Sequence, residues 1–400
     1  MFKGLKSNKK FIFVVCGGKE HIDTLHFSLR ALQKFSQNEI IVLTDSARNE
    51  IPIMFYNVID IETPHEFNNH QASIFLKTGA CKFLPRGPLY CYLDTDVVAL
   101  DSNVDMVFSY FKSPVTFASD HCRINAFSPS AINCGCLEQF DMDTAVIKKH
   151  YQQFSTFSFK EQNHIKKCMA EINLLVEKSK RNRFIYFLHQ LQYALPLKYY
   201  YLNTKYKLNK QTKEWNTFLG NKLSQTPNNL VEVIQNQTGF LFDTKSQSWK
   251  RRDETSLSNL TCNHLIEQIK ETFNQEISDE QWQHWNGGVF LFDNTSESFL
   301  DLWHKSTLRI FENPNWKTRD QGTLAMAVWE MGLENHYTLP IAFNFLADYF
   351  NDTVTYQGDL QFHLSKTNQD IKPYFIHIYH QWENRAWEVW NDVEKRVLSS

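Results

Sequence analysis

The sequence predicts an α/β protein: a mostly parallel central sheet flanked by helices, with a large mixed insertion. Three observations carry this. Short apolar runs alternate with helix-period stretches over the first third; this pattern breaks between about 141 and 280; and it resumes from 281 to the end. The expected division is therefore 1–140, 141–280 and 281–400.

Phe11–Cys16 is a strand-like apolar run ending at Gly17-Gly18, a tight turn. His21–Phe35 carries Ile22, Leu25, Leu29 and Leu32 at helical spacing, and Glu39–Leu43 is a second strand. Glu66–Leu84 is a second amphipathic helix, broken by Pro85-Arg86-Gly87-Pro88, and the strand Leu89–Leu93 follows. This β-α-β-α-β order implies parallel pairing. In the insertion, Thr144–Lys180 reads as helix. Tyr199–Trp215 and Gly239–Trp249 read as short antiparallel strands, with a turn-rich span at 220–229 between them. Their Tyr and Trp residues suit a small second core better than a binding face. Lys250-Arg251-Arg252 reads as a solvated loop. Beyond the insertion, Gly288–Phe292 and Tyr374–Tyr379 are strands, and Ser296–Phe311, Asp320–Met331 and 386–398 are helices.

Apolar residues make up 42% and charged residues 22%, the balance of a globular protein. A net charge of -2 argues against a nucleic-acid partner. No apolar run approaches the length of a transmembrane segment. The eight cysteines are scattered without a CxxC pair, as expected of reduced thiols in a cytoplasmic protein. Asp120-His121-Cys122 and Cys134-Gly135-Cys136 hold zinc-type side chains, but at spacings that match no common zinc module, so they read as ordinary thiols and neighbours.

Chemistry is expected first at Tyr90-Cys91-Tyr92-Leu93-Asp94-Thr95-Asp96. In an extended segment residues two apart point the same way, so Asp94 and Asp96 can face one point. They sit at the carboxyl end of a strand, where α/β sheets gather ligands. Two carboxylates suit a hard divalent cation that shares substrate phosphates. A second D-x-D, Asp141-Met142-Asp143, lacks a preceding strand, and one of its acids reads as a helix N-cap.

Four stretches, in order, resemble retaining glycosyltransferases of the GT-A (nucleotide-diphospho-sugar transferase) fold, most closely the family 8 type. They are the helix and D-x-D strand of residues 75–100, Asn286-Gly287-Gly288-Val289, Asp320-Gln321-Gly322-Thr323-Leu324, and the late strand around His377. A further echo runs from Leu339-Pro340 to Asn344. The resemblance covers about 11–125 and 281–385. It implies a metal-dependent hexosyltransferase that uses a UDP-sugar, with Mn²⁺ or Mg²⁺ held by Asp94, Asp96 and His377. His380, three residues later, points elsewhere on a regular strand. Lys77 stands where the family usually has Arg, and His380 and Glu383 stand near the family's Gly and Lys. By the same likeness Cys16, Gly17, Lys77, Asp94, Thr95, Asp96, Gly287 and Gly288 line the donor, and Asp320, Gln321 and Asn286 face the reacting sugar. In this scheme 1–140 is the nucleotide-sugar half and 281–400 the acceptor-side half, while 141–280 serves an acceptor or a partner. The acceptor, whether carbohydrate, lipid-linked or protein, is left open. A nucleotidyl-transferring enzyme and a non-catalytic carbohydrate-binding protein are the alternatives, since fold does not fix function.

Overall fold

The computed structural model describes residues 8–154, 159–211, 213–221, 223, 230–244, 246, 248–348 and 354–399. The chain forms two compact units, one from 1–134 with 261–400 and one from 135–260. The inserted unit thus begins and ends earlier than the 141–280 of the sequence pattern.

The main unit is built on a six-stranded mixed sheet in the order Val58–Asp60, Glu39–Thr44, Lys9–Val14, Leu89–Leu93, Gln283–Phe292, Val115–Arg123. The first four strands are mutually parallel. Gln283–Phe292 runs antiparallel to both neighbours. The central strand is apolar on both faces because both are covered. Phe11 and Phe13 enter one core with Leu25, Leu29 and Trp390, while Ile12 and Val14 enter the other with Ala72, Leu76 and Trp303. Each such side chain stabilises the fold by about 1.5–3 kcal/mol. The sheet is therefore a stiff platform whose strand ends are held in place.

Two boundaries differ from expectation for local reasons. The helix expected over Glu66–Leu84 is two helices, Asn69–Thr78 and Ala80–Phe83, broken at Gly79. Asn68 opens the first with a capping box to Gln71. At Gly79 a Cβ would stand 2.8 Å from the Phe75 carbonyl oxygen and 3.0 Å from His304, so close packing selects the glycine that breaks the helix. The strand expected from Gly288 starts at Gln283, and its register slips between Asn286 and Phe290. That irregularity loosens Gly287-Gly288 from Val115–Arg123 only, since on the other side the Gly288 carbonyl accepts from Asp94 N at 2.8 Å.

A smaller sheet positions the late histidine. Phe375–His377 pairs antiparallel with Val97–Ala99, setting His377 opposite Val97, one residue past Asp96. On its other side it pairs with Phe345–Leu346, which follows Asn344.

The inserted unit holds the helices Cys136–Phe154, Phe159–Arg181, Arg183–Ala194 and Leu230–Thr238, with two small antiparallel sheets. Tyr200 and Tyr206 join one small core and Trp249 another, as the core reading of the aromatics expects. The N-cap expectation for Asp141 or Asp143 is corrected: the helix starts at Cys136, and both lie inside it. Asp143 accepts from Arg251 Nε at 2.6 Å and from Gln139 at 2.9 Å. Lys250 pairs with Asp243 at 3.0 Å, so two of the three basic residues expected in a solvated loop are tied down. Most of the expected turn at 220–229 lies outside the described residues. Among the described residues no helix is long and apolar enough to cross a membrane.

Candidate active site

The parallel strands Lys9–Val14 and Leu89–Leu93 end on one edge of the sheet, so Cys16-Gly17 and Asp94 emerge together. A cavity of about 800 Å³ opens there, lined by Cys16, Gly18, Ser73, Lys77, Asp94 and Thr95 among others. Gly17 has φ +108, a left-handed conformation that glycine alone adopts without strain. Its N–H donates to Asn49 Oδ1 at 3.1 Å, and its carbonyl accepts from Glu50 N at 3.0 Å. The loop is thus fixed by the next βα connection. Thr95 is fixed through its carbonyl, which accepts from Ser28 Oγ at 2.6 Å.

Asp94, Asp96 and His377 each present a ligand atom, and these lie within 4.8 Å of one another. Asp96 Oδ1 stands 3.2 Å from His377 Nε2. The other ring nitrogen, Nδ1, donates to Asn344 Oδ1 at 3.0 Å. Asn344 is oriented in turn, because its Nδ2 donates to Asn286 Oδ1 at 3.0 Å. Asn286 Oδ1 also accepts from Gly288 N at 2.8 Å, and Asn286 Nδ2 donates to Asp120 Oδ2 at 3.1 Å. This chain of bonds fixes the tautomer of His377. Nδ1 carries a proton, so Nε2 is the nitrogen that faces the two acids, and its own proton, favoured by Asp96, is the one a metal would replace.

Lys77 lies between Asp94 and Asp320, its Nζ 3.2 Å from the first and 3.1 Å from the second. It also stands over the Tyr92 ring at 5.3 Å. Tyr92 Oη donates to Asp94 Oδ1 at 2.7 Å. Burial opposes the charge on Lys77, but the two carboxylates outweigh it and raise its pKa. Burial likewise works against Asp320 and Asp96. Lys77 outweighs it for Asp320 and His377 for Asp96, and both titrate below the usual carboxylate range. For Asp94 burial prevails over Lys77, and nearby Asp96 adds to it, so its pKa is raised. Three carboxylates thus face Lys77 and His377; burial would keep the His377 ring neutral, but Asp96 raises its pKa. The remaining negative charge and the O,O,N donor set fit a divalent metal.

Gln321 Oε1 accepts from Gly287 N at 3.1 Å, which turns its amide nitrogen away from the strand. A second cavity, of about 510 Å³, is lined by Asn286, Gln321, His377, His121 and His380. Both cavities are walled by His70, Lys77, Asp94, Asp96, Asp320 and Tyr379. At Gly288 a Cβ would fall 2.6 Å from His377 Cε1; at Gly287 it would fall 3.4 Å from Lys77 Nζ. Only the second glycine is required by the packing.

All the residues expected at the site line this edge or hydrogen-bond to those that do. His380 lines the second cavity outside the Asp94–Asp96–His377 cluster. Its N–H and that of Gln381 both donate to the buried Asp348, the latter at 2.9 Å, which folds this loop back. Tyr92 and Asp348 escape a reading from sequence. Tyr92 passes for another strand residue, and Asp348 carries no motif. Asp120, weighed only as a zinc ligand, instead anchors Asn286. The His121 imidazole stands 2.5 Å from its carboxylate, and their interaction, against the pull of burial, brings the Asp120 pKa down to about 2.

The chain is similar to solved GT-A glycosyltransferases. The bifunctional glycosyltransferase WbbM matches with a TM-score of 0.43 at 10% identity, covering 100% of this chain but 51% of its own. The galactosyltransferase LgtC, solved with donor and acceptor sugar analogues, matches at 0.41 and 9% identity over 98% of this chain and 97% of its own. Mouse xyloside xylosyltransferase 1 matches at 0.37 and 9% identity, over 92% and 97%. The chain thus spans about half of WbbM and nearly the whole of the other two. No family model and no curated protein matches the sequence.

Proposed function

We propose that this chain is a metal-dependent glycosyltransferase that moves a hexose from a UDP-sugar to an acceptor, with retention at the anomeric carbon. One observation carries the proposal: two carboxylates stand on the wall common to two cavities, and an oriented imidazole meets them from the second. One cavity begins at the nucleotide-side loop of Cys16-Gly17, and the other opens beyond Asn286 and Gln321. Donor and acceptor would thus meet over the acids.

Asp94, Asp96 and His377 would hold Mn²⁺ or Mg²⁺, whose chemistry is to neutralise the diphosphate as it leaves. Lys77 bridges Asp94 and Asp320 and favours the ionised form of each. Asp320 would accept from donor-sugar hydroxyls. Asn286 and Gln321, each anchored through its amide oxygen, turn their NH₂ groups to other work: Asn286 towards Asp120, Gln321 towards the second cavity. Holding donor and acceptor in one orientation supplies the proximity part of the rate. No side chain is assigned as a nucleophile.

The test is UDP release from a panel of nucleotide sugars, with and without Mn²⁺. Release with at least one donor that depends on the metal is expected. Absence of turnover with every donor, together with no metal-dependent UDP binding, would refute the proposal. Metal-dependent binding without turnover would point to a carbohydrate-binding protein instead.

A further inference from the structure

Within the inserted unit, none of the twelve residues of the helix Arg183–Ala194 is buried. The helix is nonetheless held at both ends. The Asn182 side chain caps it, accepting from Phe184 N at 3.1 Å and Ile185 N at 3.2 Å. At the other end Lys210 Nζ donates to the carbonyls of Tyr193, at 2.8 Å, and Leu195. Phe184, Phe187, Leu188 and Leu191 fall at i, i+3, i+4 and i+7, so they form one apolar stripe. A surface helix normally turns such a stripe to the core. Here it faces outwards: Phe184 is 71% exposed and Phe187 59%, and both leucines are exposed as well. The packed side carries His189 and Tyr193. His189 Nδ1 meets Tyr200 Oη at 2.9 Å, and the Tyr193 ring meets that of Tyr200 edge-on. A contiguous exposed apolar surface of this kind marks an interaction site.

The charge of the same segment says what covers the stripe. From 178 to 213 the sequence has nine Lys or Arg and no Asp or Glu, in a chain of net charge -2. Four of the nine precede or open the helix and five follow it, so cations flank the stripe at both ends. Glu177 and Glu171, from before the stretch, hold only Lys180 and Lys205 among the described residues, at 2.8 and 3.1 Å. Lys207 stands over the Tyr199 ring at 4.9 Å and Lys213 over the Tyr193 ring at 5.2 Å, so cations and aromatic rings interleave. This pattern complements the boundary between anionic headgroups and acyl chains. Phenyl and leucyl groups reach the hydrocarbon, and long basic side chains reach back to phosphates. A second copy of the chain fits less well, because pairing two such stripes would set like charges against each other. At about 18 Å the helix is too short to cross a hydrocarbon core of about 30 Å, and lies along its surface.

We propose that the helix Arg183–Ala194, with the basic residues that flank it, docks the protein on an anionic lipid surface, lying in the plane of the interface. No step of the transfer reaction proposed above is required for this.

The full chain is sedimented with vesicles of phosphatidylcholine alone or with a quarter phosphatidylserine. At about 0.1 M salt it is expected to partition about tenfold more strongly to the anionic vesicles, and to lose that preference at about 1 M, where the screening length falls to about 3 Å. Phe184→Ser with Phe187→Ser alters exposed positions, and is expected to weaken binding about tenfold with an unchanged circular dichroism spectrum. Arg181→Glu with Arg183→Glu spares the stripe, and is expected to remove the preference for anionic vesicles. Wild-type protein that stays in the supernatant with anionic vesicles overturns the proposal. So does equal binding to neutral and anionic vesicles, or a phenylalanine variant that binds as well as wild type. Light scattering covers the other occupant. Wild-type dimers that ignore vesicles, and that the phenylalanine variant dissolves, would make the stripe an interface between two copies and overturn the lipid assignment.

Discussion

Two clusters of ligand-type side chains in the main unit differ in hardness. Asp94 and Asp96 offer oxygens on the wall common to two cavities, and His377 adds a nitrogen from the second. Cys134 and Cys262 instead bring two soft sulfurs 3.9 Å apart. The difference teaches that ligand type and access to a cavity, more than the number of ligand-type side chains, mark where a hard cation could meet substrate.

The sharpest way to break this comparison is to remove one ligand from the open cluster. Asp96→Asn keeps the shape but removes the charge that faces His377. Metal-dependent UDP release is expected to fall by about 10²–10³-fold, the usual cost of losing one group that stabilises developing charge. Activity within a few-fold of wild type would show that Asp96 holds no working metal.

A smaller effect is expected one shell further out. Asn344→Ala releases His377 Nδ1 and leaves the ring free to turn. Loss of such an outer partner costs about 10–100-fold in metal affinity. A Mn²⁺ titration of UDP release reads it as a midpoint moved to higher metal, with little change at saturation. An unmoved midpoint would mean that packing alone orients His377.

How much of this the sequence discloses depends on the range of each interaction. The acid pair is legible because strand periodicity is local: two residues apart means one side. His377, far down the chain, is reached only through resemblance, since nothing local marks it out. Tyr92 is hidden because an aromatic in a strand looks the same whether its hydroxyl is used or not. The break at Gly79 is hidden because the apolar stripe runs on past it, and the His304 ring that helps to crowd the glycine comes from a distant helix. Asp143 misleads in the opposite way: it looks like a cap until Arg251 is brought beside it. The Cys134–Cys262 pair is the extreme case, with one thiol on each side of an insertion and neither meaningful alone.

The glycine pair sharpens the comparison within a single motif. Gly288→Ala would drive a Cβ into His377 and Asn286 Oδ1, the latter at 2.8 Å. Overpacking of that kind costs about 2 kcal/mol, and here it also pushes a metal ligand aside. Gly287→Ala meets only the flexible ends of Lys77 and Gln321, at 3.4 and 3.5 Å, and is expected to keep both stability and metal affinity. Chemical denaturation and a Mn²⁺ titration on both variants separate the outcomes. Equal behaviour would show that His377 does not depend on this close approach.

The smallest expected effect concerns a buried imidazole that belongs to neither cluster. His284 is fully buried, stacks on Phe127 at 4.4 Å, and has no hydrogen-bond partner for either ring nitrogen. Burial pushes its pKa down from 6.5 to about 4, although Asp120 pulls the other way. The folded state therefore holds it neutral, while the unfolded chain gains a proton near pH 6.5. Its contribution to stability is fully present above 6.5 and declines as pH falls from there to about 4. Between pH 6.5 and 5.5 the loss is about 1 kcal/mol. His284→Phe fills similar space among Phe127 and Trp282 and cannot take up a proton. Urea denaturation at the two pH values should show the wild type losing about 1 kcal/mol more than the variant. His377 contrasts with His284 because Asp96 and Asn344 give both of its nitrogens something to do. Equal pH slopes in wild type and His284→Phe would mean that an unpartnered buried imidazole is no liability here.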